Sequence, residues 1–463
     1  MNGLIIPKTP IAIDFWKPRQ CPHVKLYFLT HLHADHTSGL SSSWNYHKIY
    51  CSEVTKKLAL FKFGIKEEFL VTLPMEQSVV IPLDELRTEF VTVTAIDANH
   101  CPGAVMLLFE GYFGRILYTG DFRYSDMMPS DPILLNNVSK GKAIDVLYLD
   151  NTYCDPKCVF PSRAEATSMA INIIRQYPEH NIVIGLRSIG KEELLEKIAL
   201  SFNSWVAVDL KRLEFLRICK CADVFITDVE SSRFRVVSAA EITKLNFKKW
   251  NQERPTIAIL PTSLFEGTEN PYRRIEGIFV VPYSDHSSYT ELIEFVGLVQ
   301  PKKVVPIVHQ HRRTGKGSLN LRTHMSCFDD KLDPEPQKEF RVPPVVQRFM
   351  SMTYHCSNSN SALNHQSLSV SCKPRKHAKP CGVVFKPDPA DLTCSSTNKQ
   401  ETQTKFNELK SKTEICPLVL ENENGPSTLQ CVPNKFCERE SKIVKINSTV
   451  EEKPSSVDDE GKS

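Results

Sequence analysis

The sequence predicts a layered αβ protein followed by an unstructured C-terminal tail, and three features say so. From Ile11 to about Val308, short apolar runs alternate with helix-type patterns, the mark of sheets covered by helices. The polar motifs fall where the strand-like runs end, so a rigid frame would project them into one cleft. Beyond about Met350 the alternation gives way to Ser, Asn, Lys, Glu and Pro with isolated apolar residues. Such a segment buries too little surface to offset its ordering entropy, so 346–463 is predicted to be disordered.

At 463 residues the chain is longer than one compact core usually organises, which predicts one large or two joined units and leaves room for a deep site. Its 57 basic residues nearly balance 54 acidic ones, a formal charge of +3 that excludes a histone-like binder but allows a local basic groove. Fifteen cysteines would suit a secreted disulfide scaffold, yet the count is odd, the chain is long and no secretory apolar stretch opens it. They read as reduced thiols of a soluble intracellular protein. No apolar run approaches the roughly 18 residues of a membrane-spanning helix, and no repeat of fixed period is visible.

Taken in order, Leu26–Thr30, Phe90–Ile96, Val105–Phe109, Arg115–Thr119 and Asp145–Leu149 read as strands of a first block. A second block runs from about Tyr153 to Ser284. Ser162 and Glu165 form a capping-box pattern opening a helix to Gln176, with Pro178 beyond its end. Strands follow at Asn181–Leu186, Trp205–Val208, Val224–Thr227 and Thr256–Leu260, with a helix through Glu192–Ile198 after the first. Strand Ile278–Pro282, a helix capped by Ser288 and Glu291 with Leu292, Phe295, Val296 and Val299 on one face, and strand Val304–Val308 complete the pattern.

Three histidines and an aspartate lie within six residues directly after the first strand, in His31-Leu32-His33-Ala34-Asp35-His36. Imidazoles and a carboxylate converging from one short loop suit zinc and leave positions for water. Asn99-His100-Cys101-Pro102-Gly103 places a histidine after another strand, with a Pro-Gly turn to hold it; alone, His100 fits a core as well as a metal. Thr119-Gly120-Asp121 supplies a carboxylate at a third strand end, where an isolated aspartate is more often a turn residue. Asp14, in Ala12-Ile13-Asp14-Phe15, is a carboxylate inside an apolar strand and needs partners. Orienting a ligand histidine, anchoring the histidine loop and capping are its available uses.

In order and strand-end context, Asp14, the His31–His36 cluster, His100 and Asp121 resemble the metallo-β-lactamase superfamily. The resemblance implies a four-layer αβ/βα sandwich with a dinuclear site: His31, His33 and His100 on one metal, Asp35 and His36 on the second, Asp121 bridging. Two further motifs resemble the β-CASP nucleases, which carry an extra αβ domain inserted in the main one. Leu147-Tyr148-Leu149-Asp150-Asn151-Thr152-Tyr153 matches the point of departure, and Val281-Pro282-Tyr283-Ser284-Asp285-His286-Ser287-Ser288-Tyr289 the return. This implies a main domain in two parts, 1–152 and 285–345, an insert at 153–284 and a tail at 346–463. By the same analogy Asp150 orients His286, and His286 ligates the second metal or gives a proton to the leaving oxygen. A purely structural bond between the two is the plain alternative. Asp35, His286, Asp150 and Asp14 are thus the candidate catalytic residues. The third motif is histidine in RNA-processing members and valine in DNA-processing ones; Val308 stands there, followed by His309, and a slip of one residue would turn the reading toward RNA.

Asp97 to Gly103, Phe109 to Gly114, Ile116 to Tyr124 and Pro261-Thr262-Ser263 resemble the DNA branch, with its 5′ exonucleases and crosslink-repair nucleases, over about residues 1–345. That implies a metal-dependent 5′-to-3′ DNA exonuclease acting on 5′-phosphorylated ends of single strands and duplexes. It also implies zinc in one or two sites, with another divalent ion admissible in the second, and a nuclear role in crosslink repair and telomere end processing. Ser188, Lys191, Thr262 and Ser263 fall where this group holds a 5′ phosphate; hydroxyls, an ammonium and backbone donors at a helix start suit a phosphate dianion. An ordinary helix cap with a solvated lysine is the alternative. Lys248, Lys249, Arg273 and Arg274 would line a backbone path or simply be solvated. Telomeric members dock on a shelterin protein through a far C-terminal motif of the type Tyr-x-Leu-x-Pro, and that motif is not found here. The tail would recruit repair proteins, and its basic run Lys373-Pro374-Arg375-Lys376-His377-Ala378-Lys379 suits nuclear import. Two rivals stand beside this reading: an RNA endonuclease on the same fold, and a weakly catalytic repair scaffold.

Overall fold

Along each strand the side chains alternate between two faces, and the two faces go to different cores. The computed structural model describes residues 3–352 except 131–133, 135–142, 188, 267–269, 309–324 and 337–338. A first sheet pairs β1 (Leu4–Ile5), β2 (Ile11–Ile13), β3 (Leu26–Phe28), β4 (Ile49–Cys51) and β5 (Leu70–Thr72) in chain order. Helix α1 (Glu53–Phe63) precedes β5; the Ser52 hydroxyl caps its start, and Gly64, in the left-handed region, ends it. A second sheet carries β6 (Ser78–Pro82), β7 (Phe90–Asp97), β8 (Val105–Gly111), β9 (Gly114–Tyr118) and β10 (Val146–Leu149), with β17 (Val304–Pro306) on the far edge.

Between the sheets, Ile11, Ile13, Leu26 and Phe28 meet Val93, Leu107, Phe109, Ile116 and Tyr118. The alternate residues turn outward. Ala12, Tyr27 and Ile49 pack with Leu58 and Ala59 of α1. Met106, Leu108, Leu117 and Leu147 pack under Leu292, Phe295, Val296 and Val299 of a helix spanning Tyr289–Val299. The layers are therefore helix, sheet, sheet, helix, the αβ/βα sandwich that the family resemblance implies.

The third sheet is wholly parallel, in the order β13-β12-β14-β11-β15-β16, from β11 (Asn181–Leu186), β12 (Val206–Ala207), β13 (Phe225–Ile226), β14 (Phe234–Ser238), β15 (Thr256–Pro261) and β16 (Ile278–Val281). A sheet covered on both faces needs near-continuous apolar strands, and Ile182-Val183-Ile184 supplies one. Ile182 and Ile184 face α2 (Arg163–Arg175) and α3 (Glu192–Phe202) through Ala170, Ile174, Leu195 and Ile198. Helix α4 (Leu210–Ile218) brings Phe215 edge-on to Phe61 of α1, centroids 5.5 Å apart. Val183 and Ala258 face the other way, toward Ile242 and toward Phe247 and Trp250 of α5 (Lys244–Glu253). The helix over the second sheet is α6 (Tyr289–Val299).

Three details differ from the sequence reading. The strand expected over Leu26–Thr30 stops at Phe28, because the Thr30 N–H and hydroxyl are drawn to Asp14. The last strand ends at Pro306, not Val308; the Val308 N–H donates to Asn151 Oδ1 at 2.8 Å, and Asn151 Nδ2 to the Val308 carbonyl at 3.0 Å. Residues 346–351, assigned to the tail by composition, belong to α7 (Pro344–Ser351). Val346 is fully buried against the sandwich core beside Phe340, Val342, Val345 and Met350, and the Lys25 ammonium donates to the Met352 carbonyl at 2.5 Å. That local cluster of apolar residues is enough to dock one short helix. The rest of the tail, 353–463, with its basic run, and also His309 and Ser188, lie outside the described residues. No described helix is long and apolar enough to cross a membrane.

Candidate metal centre

Every predicted metal or acid–base side chain leaves the C-terminal end of a strand or the turn after it. Asp14 follows β2, His31 to His36 follow β3, His100 follows β7, Asp121 follows β9, Asp150 follows β10 and His286 follows β16. These ends gather at one rim. Asp14, buried and at φ 52, accepts the Thr30 N–H on Oδ1 at 2.9 Å and the Thr30 hydroxyl on Oδ2 at 2.7 Å. His36 Nδ1 lies 2.7 Å from the same Oδ2, so one carboxylate fixes both the start of the histidine loop and the plane of a histidine in it.

Asp121 sits among four imidazoles. Its oxygens lie 3.2 Å from Nε2 of His36, 3.6 Å from that of His31, 3.7 Å from that of His100 and 4.0 Å from that of His286. In each ring the other nitrogen is anchored: His36 on Asp14, His31 on Thr30 Oγ1 at 3.0 Å, His100 on the Asp285 carbonyl at 2.8 Å, His286 on Asp150 Oδ2 at 2.7 Å. His33 is held from Nε2 by the Ile189 carbonyl at 2.9 Å, which turns Nδ1 toward Nε2 of His31 at 3.1 Å and of His100 at 3.0 Å.

Burial dominates the protonation of these groups. It holds His31, His33 and His100 below the ordinary imidazole range, as neutral rings. At His36 burial pulls the same way but is outweighed by Asp121 and Asp14, which raise its pKa well above that range. At His286 burial again opposes charge, and Asp150 and Asp121 overcome it, pushing the ring up to about 9. Burial would raise the Asp121 carboxyl, yet His36 and His286 hold it well below the usual carboxylate range.

Three neutral ring nitrogens facing one another at hydrogen-bond distance cannot all be satisfied by each other, and among the described residues the buried Asp121 Oδ1 has only His36 Nε2 beside it, at 3.2 Å. A cation resolves both. The donors fall into three sets whose ligand atoms lie within 4.8 Å of one another: His31, His33, His100 and Asp121; Asp35, His36 and Asp121; Asp121, Asp150 and His286. Nitrogen-and-oxygen sets of this kind suit a divalent metal. Asp121 is common to all three.

The predicted phosphate residues are placed differently. Thr262 and Ser263 follow β15, and the register Ile184 to Ile259 sets the end of β15 beside that of β11, before Lys191. Ser263 Oγ is buried without a partner, and Thr262 Oγ1 accepts the Leu264 N–H at 3.2 Å. Lys191 occupies the N-cap position of α3 at φ 71, but its side chain does not cap the helix. Its ammonium, read from sequence as a phosphate ligand or a solvated charge, is bonded to Asp285 Oδ2 and lies 5.3 Å from the centroid of the Tyr283 ring. Lys248, Lys249, Arg273 and Arg274 are exposed. Sequence reasoning missed Thr30, Asp285, Arg163 and Arg123. Arg163, opening α2, donates to the carbonyls of Asn99 and His100. Arg123 reaches the Ser284 carbonyl at 3.0 Å and Glu291 at 2.8 Å. Only their nearness to the motifs hints at this.

Two packed sheets with histidines and aspartates gathered at one rim define a metallo-β-lactamase architecture, and a family model described as metallo-beta-lactamase superfamily matches residues 22–185. A second model, described as DNA repair metallo-beta-lactamase, matches residues 219–312. The chain is 51% identical over 414 residues to the 5′ exonuclease Apollo of Danio rerio, covering 89% of this chain and 67% of the relative. It is 47% identical to that of Mus musculus, covering 77% of this chain and 62% of the relative, so it spans about three fifths of the mouse protein's length. It is also 34% identical to the DNA cross-link repair 1A protein of Homo sapiens, over 66% of this chain and 30% of the relative. The chain belongs to the DNA repair metallo-β-lactamase family, and within it is similar over most of its length to the 5′ exonucleases named Apollo.

Proposed function

We propose that this chain is a metal-dependent 5′-to-3′ DNA exonuclease that acts on 5′-phosphorylated ends in the nucleus, in interstrand-crosslink repair and telomere end processing. The observation that carries the reading is the placement of Asp121, a buried carboxylate within 4.0 Å of four imidazoles whose remaining nitrogens are all anchored. In this reading His31, His33 and His100 would hold one zinc ion and Asp35 and His36 a second divalent ion, with Asp121 common to both sets. A metal bound there would supply Lewis-acid polarisation of a phosphoryl oxygen and an activated water. Asp14 keeps His36 in its plane. Asp150 keeps His286 with Nε2 toward the cleft, either beside the second ion or poised to protonate the leaving oxygen. Thr262 and Ser263, at the C-terminal rim of a parallel sheet where such ligands commonly bind, receive the terminal phosphate, and Ser188 is assigned to it from the sequence alone.

The reading divides the chain into a main domain at 1–152 and 285–345, an insert at 153–284, and a tail that would recruit repair partners. The assignment of DNA over RNA rests on Val308 standing at the position where DNA-processing members of the family carry valine. The test is digestion of end-labelled strands, DNA and RNA side by side, bearing a 5′ phosphate, a 5′ hydroxyl or a blocked 5′ end, with and without chelator. Stepwise loss from phosphorylated DNA ends, stopped by chelator, is expected. Faster cleavage of RNA, or internal cuts in blocked strands, would overturn the assignment.

A further inference from the structure

Two of the three facing imidazoles are oriented by backbone, not by side chains. The Ile189 carbonyl takes His33 Nε2 at 2.9 Å, and the Asp285 carbonyl takes His100 Nδ1 at 2.8 Å. No substitution removes a carbonyl, so what matters is where it is held. Both segments leave the rim of the third sheet, Ile189 after β11 and Asp285 after β16, with β15 between the two strands. One ion pair joins them: Lys191 to Asp285, with side chains 18% and 9% exposed. Asp285 Oδ1 also lies 3.7 Å from Arg163 Nη2, and that nitrogen reaches the His100 carbonyl at 3.2 Å.

Arg187 and Gly190, on either side of Ile189, are held at further points. The Gly190 N–H donates to Glu192 Oε1 at 2.8 Å, and the buried Arg212 guanidinium donates to the Arg187 carbonyl. Gly190 and Lys191 both adopt positive φ, 103 and 71, which turns the ammonium back toward Asp285.

We propose that Lys191 is a positioning residue of the metal centre: through Asp285 it locks together the two carbonyls that set the ring planes of His33 and His100. This rests on the reading of those histidines as ligands. Groups that orient ligating histidines commonly change metal affinity ten- to hundredfold when lost. Lys191 therefore acts on the metal and not on the kind of DNA end.

The test compares wild type with Lys191→Met, Lys191→Arg and Asp285→Asn. Zinc affinity is measured by competition with a chromophoric chelator, and kcat and KM on strands with 5′ phosphate or 5′ hydroxyl. Lys191→Met and Asp285→Asn are expected to weaken zinc binding about tenfold and to lower activity by one common factor on both ends, with excess zinc restoring it. Lys191→Arg keeps a cation within reach of Asp285 and should stay near wild type. Unchanged zinc affinity in both weakened variants, or a loss confined to phosphorylated ends, overturns the proposal. Should Lys191→Met not fold, Asp285→Asn decides, since it removes the ion pair and leaves the carbonyl. A wild-type protein that binds zinc but cleaves neither strand would defeat the exonuclease reading while the zinc affinities still judge this one.

Discussion

Asp14 has no exposed surface, and a charge there survives only because a backbone N–H, a hydroxyl and an imidazole converge on it. Asp14→Asn keeps the shape but turns one acceptor into a donor facing Thr30 and His36. The Asp35 and His36 site should then lose metal about ten- to hundredfold more readily, and the three-histidine site, which Asp14 reaches only through Thr30 and His31, by a smaller factor; metal-to-protein ratios during stepwise chelation would show it, and equal loss from both sites would contradict it. Asp121→Asn should instead empty both sites and abolish hydrolysis in a folded protein, read by metal content and circular dichroism together. Near-normal turnover there would remove the bridging role. The His31–His36 cluster was legible in the sequence because its donors are contiguous. The Ile189 and Asp285 carbonyls were not, since a backbone group leaves no residue signature, and Lys191 could not reveal a partner 94 positions away.

At the scale of elements, capping chemistry was the most readable signal. Ser162 with Glu165 and Ser288 with Glu291 both form reciprocal boxes at the starts of α2 and α6. Their predicted costs differ. Ser162→Ala exposes one helix start to water and should cost about 1 kcal/mol in denaturant titration. Glu291 also pairs with Arg123, whose side chain is only 3% exposed, so Glu291→Ala leaves a buried guanidinium with backbone acceptors alone and should cost more, roughly 1.5 to 3 kcal/mol. Equal losses would mean that the Arg123 pair contributes nothing. Strands of two or three residues, such as β1, β4 and β5, escaped the sequence reading because so short a run shows no period; their pairing partners define them.

For the whole molecule, the sandwich and the third sheet have cores of their own, joined at the rim through His33, His100 and Arg163 and beside it where Phe215 packs on Phe61. The pattern of apolar runs located the third sheet between the motifs, but composition misjudged residues 346–351, because it averages over α7. Ending the chain before Pro344 should destabilise it by about 2 to 5 kcal/mol, the range for removing a buried aliphatic side chain, whereas removal of 353–463 should leave hydrolysis intact. Comparable denaturation midpoints for the two truncations would show that α7 adds nothing to the core.

The central claim is that hydrolysis depends on metal held by the Asp121 cluster. Its most direct test is to strip the protein with chelator, return zinc in steps, and record bound zinc and cleavage of a 5′-phosphorylated DNA strand on the same sample. Activity should be absent at first and rise as the sites fill, and Asp121→Asn should neither fill nor cleave. Full cleavage by the stripped protein, or cleavage by the variant without bound metal, would contradict the account.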